Sequence, residues 1–561
     1  MMYPPKSIWI GVFMRLCKMR VAIVSVVLLM CPAATVWRSN AEAHAGPDAI
    51  PQILIDESGP EANQAAAFES ACLLRDPFHV VSQYPWWAPA NDQNTRVTIF
   101  VSNLAAGTAT TINLLDSKGQ GFTVAAESVL DAPRNSFAQV TFKLPENLAP
   151  GPCSITASTS GGNSNSASFR VAFESVHWRQ DLQALATQLP LSHVNPFTKL
   201  SKSQFDQAIT DLDHDIPALQ DHEIVARMMQ IVESIGDAHT TLTPSGSLLR
   251  FRSYPIKTYW FTDGLYITSV ASSYPQALGK RLTKLGAQTS SEANASVASV
   301  ISHENDAWLK AQSPSQFSSP EILQALRVLP GLQSGAFEVQ ANTGELTTLD
   351  ISAVATNQTV NWLSLPDPAQ TATPLYRQHP ELNYWFDYVA SARTLYLQYN
   401  VCQNRADLPF NQFLNQLQQF VASHPTDKLV IDLRNNTGGD SSILQPLINA
   451  LASDAGFNRS DRLFVIIGRL TISSGLLNAI SLRQQTHATF VGEATGGKPN
   501  HFGEVGSFRL PNSRLLVTYA KKFFSTVSGD PASLFPDTTV ELSSADFFAG
   551  RDPVLENILN R

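Results

Sequence analysis

The spacing of apolar residues changes along the chain, and each change predicts a different kind of structure. From residue 75 to 175, apolar and polar residues alternate in short runs separated by Gly, Pro and Asn, which is typical of β-strands. These runs cover residues 95–101, 110–115, 137–142, 153–157 and 167–173. Short strands at this spacing predict an all-β sandwich for residues 75–175.

Helical spacing begins near residue 200. A helix starts in residues 201–204 and has apolar positions at Phe205, Ile209 and Leu212, and a second helix follows over residues 222–235. The loop after it, residues 236–242, carries His239. We assign residues 176–248 to a helical domain, the cap, and residues 249–380 to a mixed α/β region.

Strands and helices alternate in residues 381–561. Unbroken apolar strands are predicted at residues 395–399, 429–433, 463–467 and 489–492, with helices at 410–422, 442–451 and 474–483. This order is typical of βαβ units, and strands without polar positions indicate a sheet that is covered on both faces. The chain is therefore predicted to be multidomain: a β-sandwich, an α+β region with the cap, and an α/β core.

Length and net charge indicate the number of domains and exclude some classes of binding partner. The chain has 561 residues, which suggests three or four domains at roughly 150 residues each. Its 39 Lys and Arg residues against 47 Asp and Glu residues give a net charge of −8, so that neither nucleic acid nor an anionic lipid surface is an expected partner.

The first 45 residues resemble an export signal. Basic residues precede an apolar run over residues 21–30, and small residues lead to an A-x-A pattern that ends at Ala45. We expect cleavage and a secreted or periplasmic protein, with an uncleaved membrane anchor over residues 21–37 as the alternative. Residues 46–74 show little periodicity and are predicted to be a linker.

Three cysteines lie beyond the predicted signal: Cys72, Cys153 and Cys402. They are too widely spaced for a zinc site, but an oxidising compartment allows one disulfide, which we place between Cys72 and Cys153. Neither residues 303–304 nor the acidic run 211–215 has a convincing metal-site pattern. The sequence therefore predicts neither a metal nor a cofactor.

Three short blocks in the α/β core carry candidate chemistry. Residues 430–440 are a strand followed by Gly438 and Gly439, whose amides can face an anion. Residues 464–475 are a strand that leads into a helix at Ser473, where the Ser474 amide offers a further donor, although a plain helix cap is the commoner use of a serine in that position. Residues 491–500 are a strand and a glycine-rich loop with Lys498, which is either a base or a solvated cation.

The order D-L-R-N-N-x-G-G, T-x-S-S and G-E-x-T-G-G-K resembles the serine peptidase family of tail-specific proteases, tricorn core protease and interphotoreceptor retinoid-binding protein. The resemblance covers residues 195–561 and implies a crotonase-like or Clp-protease-like core preceded by the cap. Residues 148–155 and 164–167 separately resemble bacterial immunoglobulin-like modules, and residues 264–270 faintly resemble part of a PDZ domain.

Carried onto this sequence, the family resemblance implies Ser473 as the nucleophile, and Gly438 or Gly439 together with Ser474 as oxyanion donors. The base is Lys498 in the tail-specific branch and His239 in the tricorn-like branch. We favour His239, because the ordinary pKa of histidine, about 6.5, is already near working pH. The same branch implies an acid that orients the histidine, and Asp530 lies near its expected position.

These residues predict an exported serine endopeptidase that acts on peptides or unfolded protein segments. The alternative is a catalytically inactive protein that binds apolar ligands or peptides on the same fold, since the retinoid-binding member does so. The presence of Ser473, His239 and Lys498 together favours the enzyme.

Overall fold

The computed structural model describes residues 50–57, 63–82, 92–132, 136–355, 358–367 and 371–561. The predicted signal segment lies outside these residues. Among the described residues, the helices lack one that combines the length and apolar character needed to cross a bilayer.

The N-terminal unit consists of nine strands in one connected sheet. Their order is β1-β3-β6-β5-β4-β7-β8, with β2 paired to β3 and β9 paired to β7. The strands are β1 (Gln52–Ile53), β2 (Ala67–Glu69), β3 (Arg96–Ser102), β4 (Thr111–Leu115), β5 (Gly121–Asp131), β6 (Phe137–Lys143), β7 (Gly151–Thr159), β8 (Gly162–Asn163) and β9 (Ala167–Val171). The long strand β5 pairs with β4 through its first half and with β6 through its second, with a bulge at Ala126–Ser128 between the halves.

Two predictions for this unit are wrong. The supposed linker contributes β1 and β2, because Ile53 and Ala65 are buried in the β-domain core although the segment lacks a regular apolar spacing. Cys72 and Cys153 are both free thiols. Cys153 is enclosed by the β-domain core, whereas the Cys72 thiol donates a hydrogen bond to Glu69, so the two sulfurs are not paired.

The cap consists of three helices: α1 (Ser175–Ser192), α2 (Lys202–Asp215) and α3 (Asp221–Glu233). The sequence predicted α2 and α3, and Ser201 caps α2 by accepting a hydrogen bond from the Gln204 amide. Helix α1 was not predicted. Its buried Asp181 accepts hydrogen bonds from the amides of Asn512 and Ser513, which joins the cap to the C-terminal part of the chain.

The middle region contains a seven-stranded sheet and three helices. The sheet has the order β12-β13-β14-β16-β17, with β15 paired to β14 and β19 paired to β13. Its elements, with the neighbouring short strands, are β10 (Leu242–Thr243), β11 (Arg252–Ser253), β12 (Ile256–Phe261), β13 (Gly264–Ala271), β14 (Arg281–Leu285), β15 (Gln288–Thr289), α4 (Ser290–Ala298), α5 (Asp306–Gln316), α6 (Pro320–Ala325), β16 (Ser334–Gln340), β17 (Leu346–Ser352), β18 (Val354–Ala355) and β19 (Trp362–Ser364).

The C-terminal unit is built on a six-stranded sheet whose strands follow chain order. Strands β21, β22, β23, β24 and β27 are parallel, and β20 is antiparallel to β21. The elements of this region are β20 (Tyr384–Val389), β21 (Thr394–Tyr399), α7 (Phe410–Ser423), β22 (Lys428–Asp432), α8 (Gln445–Ser453), β23 (Leu463–Ile467), α9 (Ser473–Gln485), β24 (Thr489–Gly492), β25 (His501–Arg509), β26 (Leu516–Phe524), β27 (Thr538–Thr539), α10 (Ser544–Phe548) and α11 (Pro553–Leu559).

Both faces of this parallel sheet are covered, as the unbroken apolar strands predicted. Leu429 and Ile431 of β22 pack in the cluster that includes α7, α8 and α9, whereas Val430 packs against α11 on the other face. Arg434, just beyond β22, forms a two-pronged ion pair with Asp552, at 2.9 Å for each N–O contact. This pair holds the start of α11 at the carboxyl end of the sheet.

The β-domain contacts the rest of the protein. The Lys118 ammonium donates to Asn512 at 3.0 Å, and the Arg170 guanidinium donates to the Leu248 carbonyl. The hairpin of β25 and β26 also pairs with β10, which follows the His239 loop, and so joins the cap to the C-terminal unit.

Candidate functional site

The three sequence blocks meet at the carboxyl edge of the parallel sheet. Strand β22 leads to Gly438 and Gly439, β23 leads to Ser473, and β24 leads to the loop with Lys498. The Thr471 hydroxyl donates to the Leu433 carbonyl at 2.8 Å, and the Gly497 amide donates to the Thr471 carbonyl at 3.1 Å. The loop before Ser473 is therefore bonded to both neighbouring loops.

Ser473 has a backbone conformation that is rare for a serine. Its φ is +54°, at the first residue of α9. The side chain is half-buried, and its hydroxyl has no hydrogen-bond partner among the residues that the structure describes. Such strain is held in place only where surrounding contacts require it, and it is concentrated at functional sites.

Two backbone amides beside Ser473 are unoccupied. Within the described part of the chain, neither the Gly439 amide nor the Ser474 amide has an acceptor. The Ser474 hydroxyl donates to the Gly439 carbonyl at 2.6 Å, so these two residues are in direct contact. Ser474 also lies in the first turn of α9, where the helix dipole favours negative charge. This pair of amides suits an oxyanion.

The structure distinguishes between Gly438 and Gly439, either of which the sequence prediction offered as an oxyanion donor. The Gly438 amide donates to Asn436 Oδ1 at 2.9 Å and is therefore not available to a ligand. Gly438 instead lies directly against the nucleophile, since a Cβ atom at this position would be 3.1 Å from Ser473 Oγ. Of the two glycines, Gly439 is the one whose amide is free to donate.

His239 lies on a loop that several hydrogen bonds hold in place. One carboxylate oxygen of Asp237 accepts from the amides of His239 and Thr240, at 2.7 and 2.9 Å, and the other bonds His193 Nε2 at 2.8 Å. The Thr518 hydroxyl donates to the His239 carbonyl at 2.8 Å. Burial raises the pKa of Asp237, but the hydrogen bonds from His193 and Thr240 outweigh it and hold that pKa below its ordinary value.

The His239 ring lies beside a second histidine. It stacks on His501, with 5.6 Å between ring centroids, and its Nδ1 is buried without a partner among the described residues. Burial, followed by the neighbouring His501, lowers the pKa of His239 to about 4. The imidazole is therefore unprotonated at neutral pH, and its pKa lies well below the ordinary value of about 6.5 on which the choice of His239 from the sequence rested. No hydrogen bond joins His239 to Ser473 in this structure, and such bonds often form only with substrate present.

Asp530 does not orient His239, which is a correction to the sequence prediction. Its carboxylate bonds the Lys498 ammonium at 2.6 Å and is 67% exposed. The group that holds the His239 loop is Asp237, two residues earlier in the chain. Lys498 is thus the ion-pair partner of Asp530 in this structure.

Sequence reasoning missed four residues of this neighbourhood: Asp237, His193, Asn436 and Glu304. Asp237 and Asn436 stand within the blocks already singled out, and their nearness to His239 and to the glycine pair was the available signal. His193 is 44 residues from Asp237 and gave no signal. Glu304 was considered only as part of an incomplete zinc motif.

Glu304 is a buried acid near this site. Its Oε2 is buried without a hydrogen-bond partner among the described residues. Burial, with a further contribution from Asp237, raises the pKa of Glu304 to about 8. The adjacent Asn305 side chain donates to the carbonyls of Thr495 and Ala532, which places this segment against the glycine-rich loop.

Glu304→Gln is expected to stabilise the fold at pH 8 and to have little effect near pH 4.5. Between these values the unfolded chain ionises Glu304 while the folded protein keeps it protonated, so that wild-type stability falls as pH rises. The difference should reach on the order of 4 kcal/mol at pH 8, as measured by urea unfolding. The exposed Glu146→Gln is the control. Equal effects of Glu304→Gln at both pH values would contradict the raised pKa.

Comparison with known proteins reveals remote structural likenesses. No protein-family profile and no curated protein matches the sequence. Among solved structures, mature CPAF is 12% identical, with 69% of this chain and 98% of that chain covered and a TM-score of 0.48. The photosystem II D1 C-terminal processing protease is 12% identical, with 68% and 99% covered and a TM-score of 0.32. Tricorn protease is 12% identical, with 83% and 45% covered and a TM-score of 0.35.

The structures to which the chain is similar thus include a C-terminal processing protease and tricorn protease.

Proposed function

We propose that this protein is an exported serine-type peptidase that hydrolyses peptide bonds in peptides or unfolded protein segments. The observation that carries the proposal is the left-handed backbone of Ser473 beside the free amides of Gly439 and Ser474. A left-handed serine costs about 1–3 kcal/mol. A serine that merely capped α9 needs no such conformation, since cap residues ordinarily adopt extended backbone.

In the proposed reaction, Ser473 Oγ attacks the carbonyl carbon of the substrate while His239 accepts the hydroxyl proton. The negative oxygen of the tetrahedral intermediate accepts hydrogen bonds from the Gly439 and Ser474 amides. His239 then gives its proton to the leaving amine, and the acyl group stays on Ser473. A water molecule, deprotonated by His239, attacks this ester, and His239 returns the proton to Ser473 Oγ as the second product leaves. The residues named here need neither a metal nor a cofactor for these steps.

The test is reaction of the full chain with a fluorophosphonate probe, followed by mapping of the adduct by mass spectrometry, and digestion of casein in parallel. A single adduct on Ser473 together with casein cleavage supports the proposal. A protein that forms no adduct and leaves casein intact is the binding protein of the alternative interpretation. If the protein hydrolyses small esters but leaves casein intact, it is a serine hydrolase and the assignment as a peptidase is refuted.

Gly439→Ala is expected to lower kcat by roughly 10²–10³-fold, which is the usual cost of losing one oxyanion donor. Gly439 has a φ of +129°, and a Cβ atom would lie 2.3 Å from the Cys402 carbonyl oxygen. The backbone must therefore shift, and the Gly439 amide moves with it. The measurement is kcat on a peptide substrate.

Gly344→Ala is the matched control for this substitution. Gly344 has a φ of +90°, but a Cβ atom there has no neighbour within 4 Å. This variant has the same kind of backbone strain without the clash, which costs about 1–3 kcal/mol of stability, and its kcat should stay within about threefold of wild type because Gly344 lies outside the proposed chemistry. Activity of Gly439→Ala equal to that of Gly344→Ala would remove Gly439 from the oxyanion site.

A further inference from the structure

We infer that Asn436 is a positioning residue that aligns the nucleophile with the oxyanion donors and assigns the donor role to Gly439. This inference rests on the proposed peptidase function. It concerns a residue that touches neither the substrate nor the reacting atoms. Its carboxamide instead links the two loops that carry Ser473 and Gly439.

Asn436 is fully buried, and every polar atom of the residue is engaged. Its Oδ1 accepts from the Gly438 amide at 2.9 Å and from the Cys402 thiol at 3.3 Å. Its Nδ2 donates to the Tyr399 carbonyl at 2.8 Å. One short side chain therefore joins the glycine pair to the end of strand β21.

The backbone of Asn436 reaches the nucleophile loop. Its carbonyl accepts from the amide of Ile472, the residue before Ser473, at 3.2 Å. Gly475 packs against the same carbonyl so closely that a Cβ atom there would lie 2.6 Å from the Asn436 carbonyl oxygen and 2.7 Å from Oδ1. The first turn of α9 and the glycine pair thus have Asn436 as a common support.

This arrangement decides which amide is free. Because Asn436 Oδ1 occupies the Gly438 amide, that amide cannot turn toward an oxyanion, and the next amide, that of Gly439, is left without a protein acceptor. Cys402 strengthens the same arrangement, since its amide donates to the Gly438 carbonyl and its carbonyl accepts from the Asp440 amide. The peptide between Gly438 and Gly439 is thus held by its carbonyl, and the amides of the two neighbouring peptides are bonded to Asn436 and Cys402.

The Asn436 side chain must both accept and donate hydrogen bonds to hold this loop in place. An aspartate of the same shape could still accept from Gly438, but it would place a carboxylate oxygen against the Tyr399 carbonyl and leave a charge buried. We therefore expect Asn436→Asp to loosen the oxyanion loop without removing Ser473 or His239. Misplacement of a catalytic group by about 1 Å can cost on the order of 10²-fold in rate.

The experiment compares Asn436→Asp with Asn435→Asp. Asn435 is a matched control because its Nδ2 also donates to a backbone carbonyl, that of Tyr376, at 2.9 Å, one position earlier in the same loop. The readouts are kcat and KM on a peptide substrate, and the affinities of a peptide aldehyde and of the corresponding peptide alcohol. The aldehyde forms a tetrahedral adduct whose oxygen needs the amides, whereas the alcohol binds without one.

For Asn436→Asp we expect kcat and aldehyde affinity to fall together by roughly 30–100-fold, with KM and alcohol affinity within about threefold of wild type. Asn435→Asp should stay within about threefold in all four measurements, since its contact lies outside the donor pair. A merely structural role would lower alcohol affinity as much as aldehyde affinity, and that result would overturn the inference. A kcat for Asn436→Asp equal to that of Asn435→Asp would also overturn the inference.

Asn436→Ala brings no buried charge and replaces Asn436→Asp if thermal unfolding shows that the aspartate variant does not fold. The same pattern of four measurements is expected, and the same two results overturn the inference. Failure of the proposed function is distinguishable, because a wild-type chain without fluorophosphonate adduct and without peptidase activity refutes the function itself. An active wild type with an unaffected Asn436 variant refutes only the role of Asn436.

Discussion

Ser473→Ala is expected to lower kcat on a peptide substrate by roughly 10⁵–10⁶-fold and to abolish fluorophosphonate labelling. Ser473 is half-buried beside Gly438, and its hydroxyl has no partner among the described residues, whereas the neighbouring Ser474 hydroxyl is bonded to the Gly439 carbonyl. Residual hydrolysis above the rate in water is expected, because the Gly439 and Ser474 amides still bind the developing negative charge.

Ser442→Ala is the control for this prediction. Ser442 is an exposed serine whose hydroxyl bonds Asp440, close to the glycine pair but outside the proposed chemistry. It should label like wild type. Persistent labelling of Ser473→Ala at the wild-type rate would place the nucleophile elsewhere and end the present assignment.

The double variant Ser473→Ala/His239→Ala gives a stronger form of the test. Residues that act as one unit are not additive, so the double variant should lose little more activity than Ser473→Ala alone. Additive losses would show that His239 contributes through something other than proton transfer with Ser473.

The parallel sheet could be predicted from sequence because its strands are short, apolar and buried on both faces. Strand β23 occupies the predicted residues 463–467, and helix α7 begins at the predicted residue 410. Strands β1 and β2 could not be predicted, because each has only two or three residues and is stabilised by contacts distant in the chain. The same applies to helix α1, whose buried Asp181 finds its partners more than three hundred residues later.

The candidate site likewise contains residues that could be predicted from the sequence and residues that could not. Ser473, Ser474 and Gly439 could be predicted because each stands where a strand ends, and parallel strands bring such positions to one edge. The partners of the charged groups could not be predicted, since a sequence does not show which carboxylate lies beside which cation. Asp530 was placed by the family resemblance and pairs with Lys498 instead, whereas Asp237 holds the His239 loop through backbone amides.

His239→Ala is expected to lower kcat by roughly 10⁴-fold, whereas Lys498→Ala should retain at least about a tenth of wild-type activity. His239 is neutral and has an unpartnered ring nitrogen, whereas the Lys498 ammonium is held by Asp530 at 2.6 Å. The exposed His487→Ala and Lys521→Ala are matched controls for loss of each side chain and should behave as wild type. The opposite result, a large loss only in Lys498→Ala, would make Lys498 the base.

The pH profile of the wild-type protein separates the same two bases without a substitution. Because the pKa of His239 is lowered to about 4, the base form is present at neutral pH and is lost only as pH falls through about 4. The acidic limb of kcat/KM, which reports the free enzyme, should lie there rather than near 6.5. A lysine base would instead give an acidic limb close to neutral pH.

Folding must be monitored across that limb, because a histidine buried in its neutral form destabilises the protein in acid. Below about 6.5 the unfolded chain takes up a proton that folded His239 does not, so that stability declines as pH falls toward 4. Near-UV circular dichroism at each pH separates this loss from protonation of the base. A limb near 6.5 with unchanged circular dichroism would show that His239, at its ordinary pKa, is not buried in the active protein.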